Sequence, residues 1–333
     1  MEYRSLGRTG VKVSKLCLGC MMLGLKTSEE EAADIIDRAI DSGINFLDTA
    51  NVYGRGKSEV AVGKALKRNG KRDRIVLATK VFARMADDDP NAQGSSRRHI
   101  LDQCEASLRR LETDRIDLYQ IHRPTSDIPI DETLRAMDDL IRAGKVRYVG
   151  TSTFAAWQWV ESLWVSRELG LNQFVSEQPP YHLLDRRIER ELVPMARTYD
   201  VALISWSPLA GGFLSGKYKR GQAPEEGRHA KGRFYGDHFR ERAFDVVELL
   251  EKIAGQKGCS TSQLAIAWVA AQSGVTCPII GPRTMEQLVD NLGAADVTVT
   301  EEDCKRLDEL APPGSAVVPT YYEADFGPHR FRW

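Results

Sequence analysis

Apolar runs and amphipathic segments alternate along most of the chain. In the clearest example, Ser28 and Glu31 have the spacing of a helix capping box, and apolar residues follow at helical spacing over residues 32–40. Gly43 stands where the end of a helix favours a left-handed residue. A short apolar run then covers residues 44–47. This order predicts a helix followed by a buried strand.

The same unit recurs and predicts eight short strands that are mostly separated by helices. The strands are expected at residues 16–18, 44–47, 75–78, 118–121, 148–150, 174–176, 201–206 and 277–280. Eight alternating units predict an α/β fold that closes into a (β/α)8 TIM barrel rather than an open sheet. Near-continuous apolar strands fit this prediction, because both faces of a parallel barrel are covered.

The chain shows no linker or break in composition, so we expect a single domain over residues 1–333. Residues 1–14 carry the turn signal Arg8-Thr9-Gly10 between strand-like pieces, which predicts a β-hairpin that plugs the bottom of the barrel. Residues 212–242 and 312–333 fit the repeat poorly. Long irregular segments in a compact domain are typical of functional loops, so we expect both over the C-terminal mouth of the barrel.

Composition excludes several classes of protein. The 46 Lys and Arg residues nearly balance the 47 Asp and Glu residues, so the sequence predicts no nucleic-acid partner. The longest uncharged stretch, residues 258–282, has only a short apolar centre, which predicts no membrane span. The N-terminus lacks the apolar core of a signal peptide. Of six cysteines only Cys17 and Cys20 have CxxC spacing, so we expect reduced thiols and a cytoplasmic protein.

Four side chains of different chemistry follow three neighbouring predicted strands. Asp48 and Tyr53 follow the second strand, Lys80 the third and His122 the fourth. The C-terminal ends of barrel strands meet at one rim, where barrel enzymes have their active sites. We therefore expect a carboxylate, a phenol, an ammonium group and an imidazole to lie close together.

That set suits the reduction of a carbonyl group, in which hydride reaches the carbon and a proton reaches the oxygen. Tyr53 would be the general acid, and Lys80 would stabilise the phenolate that it becomes. Asp48 would hold Lys80 charged and oriented, and His122 would donate a hydrogen bond to the substrate oxygen. Each residue alone has a simpler explanation, such as rim packing or a solvated charge. Only the combination indicates catalysis.

Several segments around these residues resemble the signatures of the aldo-keto reductase family. They are residues 48–54, Ser58-Glu59, residues 78–80 and residues 121–124, and the resemblance covers essentially the whole chain. Residues 206–210 and 215–218 are especially similar to the potassium-channel β-subunit branch. The resemblance implies a (β/α)8 barrel that binds NAD(P)H without a Rossmann domain, and no GxGxxG follows a strand here. It also implies the catalytic set Asp48, Tyr53, Lys80 and His122.

The resemblance further implies which residues bind the cofactor. Beside the nicotinamide and its ribose it implies Asp48, Gly19, Cys20, Met21, Ser152, Gln178 and Trp206. Along the pyrophosphate it implies Ser207, Pro208, Leu209, Ala210, Gly211 and Lys217. Around the adenosine end it implies Gly281, Arg283, Gln287, Asp290 and Asn291, with Arg228 or Arg233 closing over it from the long loop. Many members have Thr where Cys20 stands and Asn where Thr153 stands. Arg283 and the following helix N-terminus would bind a 2′-phosphate, which favours NADPH over NADH.

The leading hypothesis is therefore an oxidoreductase that reduces an aldehyde or ketone with NADPH. The alternative is a regulatory subunit that senses NADPH with little turnover. A third hypothesis, a metal-dependent hydrolase using Asp48 and His122, is disfavoured because the chain has no HxH or HExxH pair. The carbonyl substrate stays open. A set of aromatic and apolar residues could line its pocket or pack against the barrel or a neighbouring subunit: Met22, Tyr53, Phe82, Phe234, Tyr235 and the aromatic tail. The sequence leaves the oligomeric state open, a homo-oligomer included.

Overall fold

The computed structural model describes residues 1–220 and 241–318. The strands are β1 Tyr3–Ser5, β2 Lys12–Ser14, β3 Cys17–Gly19, β4 Phe46–Asp48, β5 Val76–Val81, β6 Ile116–Ile121, β7 Val146–Ser152, β8 Ser176–Gln178, β9 Ala202–Ser205 and β10 Val275–Ile280. The helices are α1 Glu29–Asp41, α2 Lys57–Asn69, α3 Arg97–Arg110, α4 Ile130–Arg142, α5 Ala156–Leu169, α6 Leu192–Tyr199, α7 Glu241–Lys257, α8 Thr261–Ala271, α9 Met285–Gly293 and α10 Glu301–Leu310.

Strands β3 to β10 form a closed barrel in which neighbouring strands are parallel. The predicted fold class is confirmed, including the capping box of Ser28 and Glu31 at the start of α1. The strand ends differ from the prediction by up to three residues; β8 lies two residues later in the chain, and β4 begins two residues later and ends one residue later. Asp48 and Gln178 are therefore the last residues of their strands, and the barrel itself positions their side chains. Apolar residues just before β4 and β8, such as Ile44 and Phe174, made the predicted strands begin too early.

The N-terminal hairpin closes the bottom of the barrel, as predicted. Strands β1 and β2 pair in antiparallel register, and Leu6 and Val13 are buried in the interior cluster of the barrel. The Arg4 guanidinium donates to the carbonyl oxygens of Ala270 and Val275, where β10 begins. Gly7 lies so close to the start of β9 that a Cβ atom would come within 2.6 Å of backbone oxygens. Burying two apolar side chains here seals the end opposite the mouth.

Alternation along the strands decides which side chains enter the barrel. Phe46, Ala78 and Leu118 belong to the interior cluster. Residues two positions further along β4, β5 and β6 face the same way, and these are polar. The interior therefore changes from apolar near the hairpin to polar at the C-terminal ends of the strands.

The two regions predicted as long loops are described in part. Residues 210–215 form 3₁₀ turns interrupted by the positive φ angles of Gly211 and Gly212, and α7 covers Glu241–Lys257. Residues 312–318 bind the loop that follows β8, because the amides of Val317 and Val318 donate to the carbonyl oxygen of Leu184. The predicted residues Arg228, Arg233, Phe234 and Tyr235, and the aromatic tail from Tyr321 to Trp333, lie outside the described residues. Within the described ranges, no helix is long and apolar enough to cross a membrane.

Candidate active site

Lys80 lies at the centre of the polar end of the barrel and has no exposed surface. Its ammonium group donates to Asp48 Oδ1, to the carbonyl oxygen of Thr49 at 2.9 Å and to the Tyr53 hydroxyl at 3.3 Å. Burial alone lowers the pKa of Lys80, but the charge of Asp48 and the contact with Tyr53 outweigh it and raise that pKa. The ammonium group therefore stays charged next to the phenol.

Asp48 accepts hydrogen bonds at both of its carboxylate oxygens. Oδ1 accepts from Lys80, and Oδ2 accepts from the side-chain amides of Gln120 at 3.0 Å and Gln178 at 2.9 Å. A buried charge is costly unless it is paired and hydrogen-bonded. Here three donors compensate one carboxylate, so the buried pair can persist.

Tyr53 lies on the loop between β4 and α2, which is shaped by left-handed residues. Gly54, Arg55 and Gly56 have φ angles of 59°, 52° and 95°. The Leu25 side chain packs so closely on Gly54 that a Cβ atom there would be 2.9 Å away. This packing holds a half-buried Tyr53 with its hydroxyl against Lys80.

His122 follows β6 and is 9% exposed. Its ring meets the Tyr53 ring edge-on, with centroids 5.7 Å apart. Burial, together with the charges of Arg123 and Lys80, lowers the pKa of His122 well below its usual range. The imidazole is therefore neutral near pH 7 and can offer one N–H to a substrate oxygen. All four residues predicted as catalytic thus come together at one end of the barrel.

The residues predicted beside the nicotinamide have different surroundings. Ser152 and Gln178 are buried at the ends of adjacent strands, and the Ser152 hydroxyl donates to the backbone oxygen of Gln178 at 2.9 Å. Both Nε2 hydrogens of Gln178 have partners inside the protein, on Asp48 and Gln120. The side-chain oxygen of Gln178, Oε1, is therefore the atom that can accept a hydrogen bond from a ligand. The Cys20 thiol donates to the Leu18 carbonyl oxygen and belongs to the layer between barrel and helices, and the Cys20 backbone N–H donates to the Asp48 carbonyl oxygen.

The segment after β9 has an unusual backbone. Ser207, Ala210, Gly211 and Gly212 all have positive φ angles, between 49° and 96°. A Cβ atom on Gly212 would lie 3.2 Å from the Lys217 ammonium group, so Lys217 covers this turn closely. The amides of Ala210, Gly211 and Gly212 donate within the turn, to oxygens of Ser207 and Leu209, and so hold its shape. The predicted residues Pro208 and Leu209 lie in the same turn, and Trp206 is half-buried at its start.

The predicted adenosine residues lie around the start of α9. The Thr284 hydroxyl accepts from the backbone N–H of Gln287, and the Gln287 side-chain oxygen accepts from the backbone N–H of Arg283. These two hydrogen bonds cap the N-terminus of α9. Among the described residues Arg283 has no ion-pair partner. Gly281, Met21 and Asp290 are at least partly exposed, whereas Asn291 is buried and Gly19 packs against Ile279 inside the barrel.

Two buried residues at this end of the barrel were missed from the sequence. Gln120 touches Asp48 and Gln178, and strand alternation could have revealed it, because it lies two residues before His122. Glu177 has no such signal, since it faces away from the barrel interior. It accepts from the Thr151 hydroxyl at 2.5 Å and the Phe154 amide at 3.2 Å, and burial raises its pKa to about 8. Glu177 therefore holds the turn that carries Ser152.

Metal and sulfur chemistry have no assembled site in the described part of the chain. Residues 1–220 and 241–318 contain no cluster of three or more His, Cys, Asp or Glu side chains that could hold a metal ion. All six cysteines have free thiols. Burial raises the pKa of Cys17 and Cys20 well above the usual range, so neither is a ready nucleophile.

Comparison with known proteins agrees with this geometry. The model of the Aldo/keto reductase family matches residues 15–312. An uncharacterized oxidoreductase, YrpG, from Bacillus subtilis (strain 168) is 40% identical over 97% of this chain and 99% of its own length. A probable voltage-gated potassium channel subunit beta from Oryza sativa subsp. japonica is 38% identical over 89% of this chain and 92% of its own.

A third relative is the versiconal hemiacetal acetate reductase of Aspergillus parasiticus. It is 36% identical over 94% of this chain and 98% of its own length. The resemblance read from the sequence is thus confirmed, including its similarity to potassium-channel β subunits. On the barrel and these comparisons together, the chain belongs to the aldo/keto reductase family of oxidoreductases.

Proposed function

We propose that this protein reduces an aldehyde or ketone to an alcohol with NADPH. The observation that carries the proposal is the Lys80 ammonium group, which donates to Asp48 and to the Tyr53 hydroxyl from a fully buried position. A buried cation beside a half-exposed phenol stabilises the phenolate that proton donation leaves behind.

NADPH, when bound, supplies the hydride that reaches the carbonyl carbon. The Tyr53 hydroxyl gives its proton to the carbonyl oxygen, and Lys80 stabilises the resulting phenolate. His122, neutral near pH 7, donates one N–H to the same oxygen and orients the carbonyl. Asp48 keeps Lys80 charged and aimed. Tyr53 regains a proton from solvent before the next turnover.

The chemistry of the donor set fits NADPH. Ser152 and the Gln178 carbonyl oxygen suit a carboxamide, and the half-buried Trp206 indole offers a face to the nicotinamide ring. The Lys217 ammonium group, which covers the turn from Ser207 to Gly212, suits a pyrophosphate by its charge. Arg283 at the start of α9 suits the 2′-phosphate that distinguishes NADPH from NADH.

The test compares wild-type protein with Tyr53→Phe, using NADPH and a panel of aldehydes that includes 4-nitrobenzaldehyde. The variant keeps the ring that packs on His122 and removes the proton donor. We expect kcat to fall by at least about 100-fold while NADPH affinity is unchanged. Tyr199→Phe is the matched control, because Tyr199 stacks on Trp159 outside the site. Equal rates for wild type and Tyr53→Phe across the panel would refute the proposal.

A regulatory role is the second candidate, because potassium-channel subunits are among the relatives. The same assay separates the two. A protein that binds NADPH tightly, yet oxidises it at the same slow rate with and without aldehyde, would be a cofactor sensor. The neutral His122 beside Tyr53 favours turnover.

A further inference from the structure

Gln120 is a buried polar residue in the barrel to which the proposed mechanism assigns no role. It lies on β6, level with Lys80 on β5 and Gly150 on β7, and has no exposed surface. A buried amide is stable only if its donors and acceptors are satisfied. The contacts of this amide therefore indicate why it is tolerated.

Gln120, Gln178 and Asp48 form a closed triangle of hydrogen bonds. Gln120 Nε2 donates to Asp48 Oδ2 at 3.0 Å, and Gln178 Nε2 donates to the same oxygen at 2.9 Å. Gln178 Nε2 also donates to Gln120 Oε1 at 3.2 Å. We call these three residues the amide triangle.

The amide triangle determines which way each amide faces. A glutamine side chain can rotate by half a turn and exchange its oxygen and nitrogen positions. The Asp48 carboxylate only accepts hydrogen bonds, so it selects the nitrogen of both glutamines. Gln120 adds an acceptor for the second hydrogen of Gln178 Nε2. With both hydrogens taken, Gln178 can offer a ligand only its carbonyl oxygen.

We propose that Gln120 is a positioning residue that sets Gln178 to accept, rather than donate, a hydrogen bond from the nicotinamide carboxamide. The inference rests on the proposed NADPH-dependent function. Without Gln120, Asp48 still holds the Gln178 nitrogen, but one hydrogen of Nε2 loses its partner, so the amide is less firmly held and can also donate to a ligand. Gln120 thus helps the protein distinguish a carboxamide, which has N–H donors, from a group of similar shape that has none.

The test measures cofactor binding rather than turnover. The full chain is titrated with NADPH and with the reduced analogue that carries an acetyl group in place of the carboxamide, and quenching of tryptophan fluorescence is followed. The acetyl group cannot donate to Gln178, so wild type should prefer NADPH. Gln120→Met keeps the volume and removes both hydrogen bonds. We expect it to weaken NADPH binding about fivefold to tenfold and to leave the analogue nearly unchanged.

Two further variants keep the proposal open to refutation. Gln120→Glu keeps an oxygen that can accept from Gln178, and its carboxyl group, protonated beside Asp48, can donate to Oδ2, so the variant should retain the preference for NADPH. Gln272→Met is the matched control, because Gln272 donates to Trp268 at the opposite end of the barrel. Equal weakening of both cofactors by Gln120→Met, or no change in either, would overturn the role of Gln120. Loss of the preference in Gln120→Glu would do the same. Failure of wild type to bind NADPH would overturn the proposed function and this inference with it.

Discussion

Replacing Lys80 with methionine tests the centre of the proposed mechanism. Methionine keeps the length of the side chain and removes its charge. The Tyr53 hydroxyl then loses an ammonium group 3.3 Å away, and Asp48 keeps only its two amide donors. Two effects follow, one on catalysis and one on stability, and they need separate measurements.

The effect on catalysis follows from the distance between charge and phenol. Two unit charges 3.3 Å apart attract each other by about 5 kcal/mol at an effective dielectric constant of about 20. The transition state carries only part of the phenolate charge, so a loss of kcat of between about 10²-fold and 10³-fold is expected. The effect on stability is separate. A buried Asp48 without its cation should cost about 3–5 kcal/mol in free energy of unfolding.

The assay combines NADPH oxidation at saturating aldehyde with urea denaturation. The double variant Asp48→Asn/Lys80→Met removes both charges and keeps an oxygen that accepts from Gln120 and Gln178. We expect it to recover much of the stability and none of the activity. Recovery of kcat to within about tenfold of wild type would show that Lys80 acts only in folding. A loss below about tenfold in Lys80→Met would refute the electrostatic reasoning itself.

Three more expectations follow from the structure. Arg283→Ala should weaken NADPH about tenfold or more and leave NADH unchanged in fluorescence titrations, and equal losses would contradict a 2′-phosphate site. Burial raises the pKa of Glu177 to about 8, whereas the pKa of glutamate in an unfolded chain is about 4.3. Between these two pH values the native state therefore binds one proton more than the unfolded state. The free energy of unfolding should therefore fall as pH rises through that window, by up to about 1.4 kcal/mol per pH unit, and Glu177→Gln should lack this slope; parallel curves from urea denaturation at several pH values would refute it. Leu6→Ala, in the hairpin, should lower stability by about 2–5 kcal/mol while kcat of the folded protein stays unchanged, and a large drop in kcat would contradict the assignment of that face to stability alone.

The catalytic candidates were accessible from the sequence because each follows an apolar run. Asp48, Lys80 and His122 each stand where a buried strand ends, and barrel topology brings such ends to one rim. The period-two pattern could also have revealed Gln120, two positions before His122. Glu177 was not accessible in this way, because its partners Thr151 and Phe154 belong to the neighbouring strand and its following turn.

The sequence predicted the exact ends of the strands less well. The predicted strand begins at Ile44, yet β4 begins at Phe46. The predicted start of β8 at residue 174 also lies two residues too early. Apolar character reports burial, and Ile44, Phe174 and Val175 are buried although they lie ahead of β4 and β8. The register with neighbouring strands decides where a strand ends, and the pattern of apolar residues in a single sequence does not contain that register.

By itself the sequence determined the order of strands and helices, the barrel and the four side chains at its rim. These depend on local properties: apolar periodicity, capping residues, and polar residues at the ends of apolar runs. Only the tertiary structure decided that Lys80 contacts Asp48, Thr49 and Tyr53 together, that Cys20 turns away from the mouth, and that an amide triangle surrounds the carboxylate. Those contacts join residues far apart in the chain, and closure of the barrel brings them within hydrogen-bonding distance.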